Sequence, residues 1–329
     1  MFTVYHGGAR DDEKELIDFS QSVNPYYPKF LKKYLKEAEI IRYPYCEEKY
    51  ENMIREKLKL DELEVTLGAG VTELLYMTFY MIKNYEEVVL LSHTYSEIKR
   101  LSYLFNKKPL FIEKLVPTFE DFENFGLRRR AVYFIVNPDN PTGIYYGFLR
   151  ALAEELNVLD SLLVIDESFL PFTEHRNEYI KMENVIALRS FTKAFGIPGI
   201  RVGFAYGPKD KILKMKEFRM PWSIGAYGCA ALKGILLEGD NFLNVTLKKV
   251  EKERDRISKK LKLKTDANFF LAKVPDSKKL IKELREKGIL VRDCQSFGLE
   301  KAIRFSVRKR NENNMLLKAL ENVEIASPF

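Results

Sequence analysis

The sequence predicts an α/β protein: a large domain built on a mostly parallel, seven-stranded sheet, followed by a smaller α+β domain. Three observations carry this expectation. Seven short apolar runs recur at 65–67, 88–92, 110–112, 131–136, 162–165, 185–188 and 202–206. They are near-continuous rather than alternating, as strands buried on both faces must be. Helix-like segments at 72–83, 96–106, 148–156 and 209–220 separate them, so neighbouring strands can be joined by crossovers. Finally, 329 residues with 46% hydrophobic and 31% charged side chains suffice for two folded cores.

In chain order, residues 1–41 read as an N-terminal arm that packs with the small domain. It contains His6-Gly7-Gly8, Leu16-Ile17-Asp18-Phe19-Ser20 and Asn24-Pro25, then a helix over 28–39. Arg42-Tyr43-Pro44 marks a turn, and 47–58 is helical. The large domain is expected over 42–225. Beyond Pro221-Trp222 the chain reads as helical to about residue 261, and 226–329 forms the small domain. Its strands are expected at 268–273, 290–292 and 302–306. A helix over 277–288 has Ser277 as N-cap and Gly288 as its stop.

Composition excludes several classes. No apolar run approaches the ~18 residues of a membrane span, and Met1 to Arg10 lacks a signal pattern. Cys46, Cys229 and Cys294 are odd in number and far apart, so neither a disulfide framework nor a metal site is expected, and the setting is read as cytoplasmic. His6, His93 and His175 are equally scattered. The net charge of +7 raises nucleic-acid binding, but the basic stretch 248–264 interleaves Glu251, Glu253 and Asp255 and reads as a solvated, ion-paired face. A basic excess also suits small anionic ligands. Two glutamines beside abundant Lys and Glu lean towards a heat-adapted source.

The chemistry is concentrated in Ser190-Phe191-Thr192-Lys193-Ala194-Phe195-Gly196-Ile197-Pro198-Gly199-Ile200-Arg201-Val202-Gly203. A lysine at the end of a buried strand, with a cation nearby, loses pKa and becomes a nucleophile for carbonyl carbon. The other polar groups follow strands as well. Gly68-Ala69-Gly70-Val71-Thr72 opens a helix whose N-terminus can receive a phosphate. Tyr95 follows 88–92, where it can stack on an aromatic ring. Asn137-Pro138-Asp139-Asn140-Pro141-Thr142-Gly143 follows 131–136, and Asp166-Glu167-Ser168 ends 162–165. A carboxylate at a buried strand tip requires a cationic partner.

The lysine segment resembles the Schiff-base motif of pyridoxal-phosphate enzymes of the aspartate-aminotransferase fold (fold type I), and the likeness spans essentially the whole chain. It implies pyridoxal 5'-phosphate as cofactor, bonded to Lys193. Asp166 would pair with the ring nitrogen, Asn140 would donate to the phenolate oxygen, and Tyr95 would stack on the ring. Gly70, Val71, Thr72, Ser190, Thr192 and Arg201 would hold the phosphate, with Ser168 alongside. Within class II, the likeness is greatest to histidinol-phosphate aminotransferases and threonine-phosphate decarboxylases of cobalamin biosynthesis. Four features are similar to the decarboxylases: His6-Gly7-Gly8 with Asp18-Phe19-Ser20 and Asn24-Pro25; Met220-Pro221-Trp222-Ser223-Ile224; Phe169 where many aminotransferases carry tyrosine; and the segments around Arg292 and Arg304.

The resemblance therefore implies decarboxylation of L-threonine O-3-phosphate, with Arg292, Arg304, His6 and Asn24 contacting substrate. Transamination, for example of histidinol phosphate, is the alternative, because the bond held perpendicular to the ring decides the reaction. A non-catalytic binding protein of this fold is disfavoured by the presence of Lys193, Asn140 and Asp166. The family implies a homodimer with Tyr43 reaching the neighbouring site. Val71 and Gly225 depart from the family pattern, and the chain is somewhat short.

Overall fold

The computed structural model describes residues 7–13 and 15–329. The chain runs β1 (Ile17–Asp18), α1 (Leu31–Lys36), α2 (Glu47–Lys57), β2 (Glu64–Gly68), α3 (Gly70–Met81), β3 (Glu87–Leu91), α4 (Ser96–Leu104) and β4 (Lys108–Ile112). It continues through α5 (Phe119–Phe125), β5 (Val132–Val136), α6 (Leu149–Val158), β6 (Leu162–Asp166), β7 (Val185–Ser190), α7 (Phe191–Phe195), β8 (Gly203–Gly207) and α8 (Lys209–Lys216). The last part holds α9 (Ala226–Leu261), β9 (Phe269–Lys273), α10 (Ser277–Glu286), β10 (Ile289–Leu290), β11 (Arg292–Asp293), β12 (Ala302–Ser306) and α11 (Arg310–Ala319).

The large sheet has seven strands in the order β2-β8-β7-β6-β5-β3-β4. All neighbours are parallel except at β8, which runs antiparallel to both β2 and β7. Alternation along each strand separates two apolar layers. Val88, Leu90, Phe134, Val164 and Leu188 join one core with Leu74, Leu75 and Phe79 of α3. Val89, Tyr133, Ile135, Leu163 and Ile165 join the other with Leu152 and Leu156 of α6. Both layers are buried, and each fully buried Leu or Phe is worth about 1.5–3 kcal/mol.

The second body is a three-stranded antiparallel sheet, β11-β12-β9, backed by α10 and α11. β1 of the arm pairs in parallel with β10. The 36-residue helix α9 touches both bodies. Its first half packs with α1 and α2, and Leu247, Val250 and Ile257 enter the C-terminal core.

Several sequence expectations are corrected. Cys46 and Cys229 form a disulfide across 183 residues, because the fold brings the start of α2 beside the first turn of α9. Cys294 is free and buried. The N-cap of α10 is Asp276, which accepts the Lys279 N–H, so Ser277 is the first helical residue. The helix expected over 28–39 shrinks to Leu31–Lys36. The 290–292 segment divides between β10 and β11, which pair with different partners. Among the described residues, no helix is long and apolar enough to cross a membrane.

Candidate active site

The carboxyl ends of β5, β6 and β7 open into one cavity of about 360 Å³, where ligands of open α/β sheets bind. Strand parity decides who faces it. Leu162, Val164 and Asp166 alternate onto the α3 side of the sheet, as do Ile186, Leu188 and Ser190. Asp166 and Ser190 therefore enter the cavity together with Val136. Lys193 does not extend the strand, as the sequence suggested. It projects from the one-turn helix α7, which closes at Gly196 in the left-handed conformation.

Lys193 is half-buried and reaches into the cavity, its Nζ 5.7 Å from the centre of the Phe169 ring. Burial, helped by the Arg304 and Arg201 charges, lowers its pKa from 10.5 to about 8. The Asp166 carboxyl moves the other way: burial raises it, while the Ser168 N–H at 2.9 Å and the Lys193 charge oppose that. Immediately below, Glu167 forms a buried ion pair with Arg189 at 2.5 Å and accepts from the Tyr206 hydroxyl. Arg189 also donates to the Glu178 carbonyl, so this network braces the strand tips that carry Asp166 and Ser190. The sequence reading missed it, since it joins three separate strands.

The phosphate end is built by close approach. At Gly70, φ is +76° and a Cβ would stand 2.6 Å from the Arg201 guanidinium, so only glycine allows Arg201 to lie over the α3 N-terminus. Val71, Thr72, Ser96, Thr192 and Ser190 line the same region. Tyr95 is half-buried, and desolvation raises its phenol to about 12 and keeps it neutral.

Arg292 and Arg304 close the cavity from the second body. They are direct partners across β11 and β12, on the sheet face opposite Ile303 and Phe305. Burial lowers the Arg304 pKa to about 10. Its guanidinium donates to Asn140 Oδ1 and, at 2.9 Å, to the Ser20 carbonyl. The bond occupies the Asn140 acceptor and leaves the amide as a donor. Arg292 donates to the Ser296 hydroxyl at 2.8 Å.

Twelve residues singled out from sequence thus share one cavity: Val71, Thr72, Tyr95, Asn140, Asp166, Ser168, Ser190, Thr192, Lys193, Arg201, Arg292 and Arg304. Asn24 does not line it. Its amide donates to the Ala194 carbonyl and to Thr246, pinning the arm against the lysine helix. Tyr43 is 69% exposed and stacks on Trp222, away from this cavity. His6 lies outside the described residues. Phe169, singled out from the sequence, lines the cavity too, whereas the sequence reading overlooked Gly7, Ser20, Gln21, Ser22 and Phe297 as lining residues. A signal existed for the arm, since Asp18 accepts from Ser20, Ala9 and Gln21 and folds that segment inward.

These groups fit pyridoxal phosphate: an amine of lowered pKa for its aldehyde, a buried carboxylate for its ring nitrogen, and an N-terminus with hydroxyls and a guanidinium for its phosphate.

The comparisons agree. The profile of the family "Aminotransferase class I and II" matches residues 15–320. Histidinol-phosphate aminotransferase 2 of Archaeoglobus fulgidus is 27% identical, over 94% of each chain. A protein named as a candidate threonine-phosphate decarboxylase in Caldanaerobacter subterraneus is also 27% identical, covering 97% of this chain and 93% of its own. The crystal structure of the histidinol-phosphate aminotransferase from Clostridium acetobutylicum superposes with a TM-score of 0.82 at 26% identity, covering 93% and 98% of the two chains. The chain belongs to the class I and II aminotransferase family, pyridoxal-phosphate-dependent enzymes of the aspartate-aminotransferase fold.

Proposed function

We propose that the protein decarboxylates L-threonine O-3-phosphate to (R)-1-amino-2-propanol O-2-phosphate, a step of cobalamin biosynthesis. The observation that carries this reading is the pairing of Arg292 with Arg304 on one face of β11 and β12, both opening on the cavity that Lys193 enters. Two guanidinium forks suit a small substrate with a carboxylate and a phosphate close together. Phe169 lines the cavity where many transaminating relatives carry a phenol, and the Caldanaerobacter relative's name points the same way.

When bound, pyridoxal phosphate supplies an aldehyde for an amine and a ring that accepts the electrons of the bond broken at Cα. The chain does the rest. Lys193, its amine pKa lowered to about 8, would attach the cofactor and carry a proton at Nζ. Asp166, oriented by the Ser168 N–H, would hold the ring nitrogen. Asn140 would serve the phenolate, Tyr95 the ring, and Gly70, Val71, Thr72, Ser190, Thr192 and Arg201 the phosphate. Arg292 and Arg304 orient the substrate, and orientation selects the carboxylate as leaving group. Phe169 and Phe297 give the cavity an apolar wall.

Transamination is the second reading, favoured by the Archaeoglobus relative. We also place the chain in a homodimer, with the exposed Ile41, Tyr43 and Tyr45 at its contact. The experiment mixes holoenzyme with L-threonine O-phosphate, and separately with L-histidinol phosphate plus 2-oxoglutarate. Stoichiometric CO2 from the first is expected. Glutamate formation in the second, without CO2 in the first, overturns decarboxylation.

A further inference from the structure

The loop that delivers Asn140 to the cavity turns on a side chain that the mechanism does not use. Asp139 is 1% exposed and does not line the cavity, whereas its neighbour Asn140 does. Its Oδ2 accepts the Thr142 hydroxyl at 2.7 Å and the Thr142 N–H at 3.3 Å. Its Oδ1 is buried without a hydrogen-bond partner, and no arginine or lysine among the described residues pairs with it. A carboxylate in that position is costly unless it takes up a proton. Burial pushes the Asp139 carboxyl up to about 7, against the Thr142 hydroxyl and N–H and the Asn140 N–H.

The turn itself does not need an acid. The Asp139 N–H donates to the Ile144 carbonyl at 2.9 Å, and the Gly143 N–H to the Asp139 carbonyl at 2.8 Å. Asn137 closes the other side by exchanging side-chain bonds with the Tyr146 backbone. An asparagine at 139 would accept both Thr142 bonds with no charge to bury, so the carboxyl adds only a dependence on protons. The groups around it do not neutralise that charge. Tyr146 is a buried phenol, pushed up by burial and by the Asp139 charge. Arg304 of β12 is committed to Asn140 and Ser20, and Asp266, ahead of β9, accepts the Tyr145 N–H. Lys193, Asp166 and Arg292 line the cavity that Asp139 stays out of.

We propose that Asp139 is a positioning residue that acts on the cofactor through Asn140. Uncharged, it holds the turn that aims the Asn140 amide at the phenolate oxygen of the cofactor. Ionised, it sets a negative charge one residue behind the donor to that anionic oxygen. Like charges in a site of low dielectric repel strongly, so ionisation weakens the hold on the cofactor. The inference rests on the placement of Asn140 at the phenolate and not on which bond breaks.

In the test, cofactor-free wild type, Asp139→Asn and Asn140→Ala are titrated with pyridoxal phosphate and followed by the visible band. The titrations are made at about pH 6 and about pH 8.5, either side of the Asp139 value. The rise in dissociation constant between the two is expected to be about 10-fold larger for wild type than for Asp139→Asn. Thr142→Val, which removes a donor to the charged form, should move the midpoint of that rise to higher pH. Denaturant midpoints of the cofactor-free proteins read the proton itself. Folded wild type holds it to about 7 and the unfolded chain to 3.8, so wild-type stability falls as pH rises between those values. Asp139→Asn lacks this fall, so its lead should grow up to about pH 7 and stay constant above. Equal pH dependence of cofactor affinity in wild type and Asp139→Asn would overturn the proposal, and with diverging denaturant midpoints it confines Asp139 to the turn. Parallel denaturant midpoints, or an unmoved affinity midpoint in Thr142→Val, would overturn it as well. Unchanged affinity in Asn140→Ala would remove the placement of Asn140 and the proposal with it. CO2 release is read by neither measurement, so the decarboxylase reading stands or falls separately.

Discussion

The two ends of the cavity are built in different ways. The cofactor end is made of groups at the tips of consecutive parallel strands, each placed by its own short motif and by strand parity. The proposed substrate end joins β11, β12 and the arm, so that Arg304 reaches Asn140 across 164 residues and Ser20 across 284. The first end is a local product of the sheet; the second exists only after the arm and the C-terminal sheet have docked. Changes at the first end should therefore abolish chemistry, and changes at the second should alter selection.

The largest effect is expected at Lys193. Lys193→Ala should lower turnover by about 10³-fold or more and remove the visible band of the bonded cofactor, read by stopped assays and absorption spectra. The same residue gives a stability signature in cofactor-free protein. The unfolded chain holds the proton to about pH 10.5, whereas the folded one releases it near 8. Between those values the unfolded state binds more protons, so wild-type stability rises with pH there. Lys193→Met should exceed wild type by about 3 kcal/mol below pH 8, with the gap closing towards pH 10.5 in denaturant titrations.

A smaller effect belongs to a region outside both ends. Cys46 and Cys229 line neither end, so the Cys46→Ser, Cys229→Ser double variant should keep wild-type turnover. Its stability should fall by about 2–4 kcal/mol, as for a bridge closing a long loop. Calorimetry with and without reductant measures this. Equal melting temperatures would show that the bridge contributes nothing.

The same contrast explains what could be read from sequence. The seven strands, the long helix and the strand-tip residues that line the cavity were legible because each depends on a local signal: an apolar run, a glycine at a helix start, a lysine between hydroxyls. The disulfide was not, because nothing in the spacing of Cys46 and Cys229 announces their meeting. The role of Asn24 was hidden for a related reason. Asn24 was expected at the substrate, but its amide is used up by Ala194 and Thr246. Glu167 stood beside Asp166 in the sequence, yet its partners Arg189 and Tyr206 come from other strands. Side chains whose partners are distant in sequence must be seen in the fold.

The independence of the two ends is tested most directly by titrating the Arg292→Leu, Arg304→Leu holoenzyme with O-phospho-L-threonine. The cofactor's visible band should match that of wild type, while the dissociation constant rises by about 100-fold or more, as expected for truncating buried charge contacts. Loss of the band, or retention of wild-type affinity, would contradict the division of the cavity into a cofactor end and a substrate end.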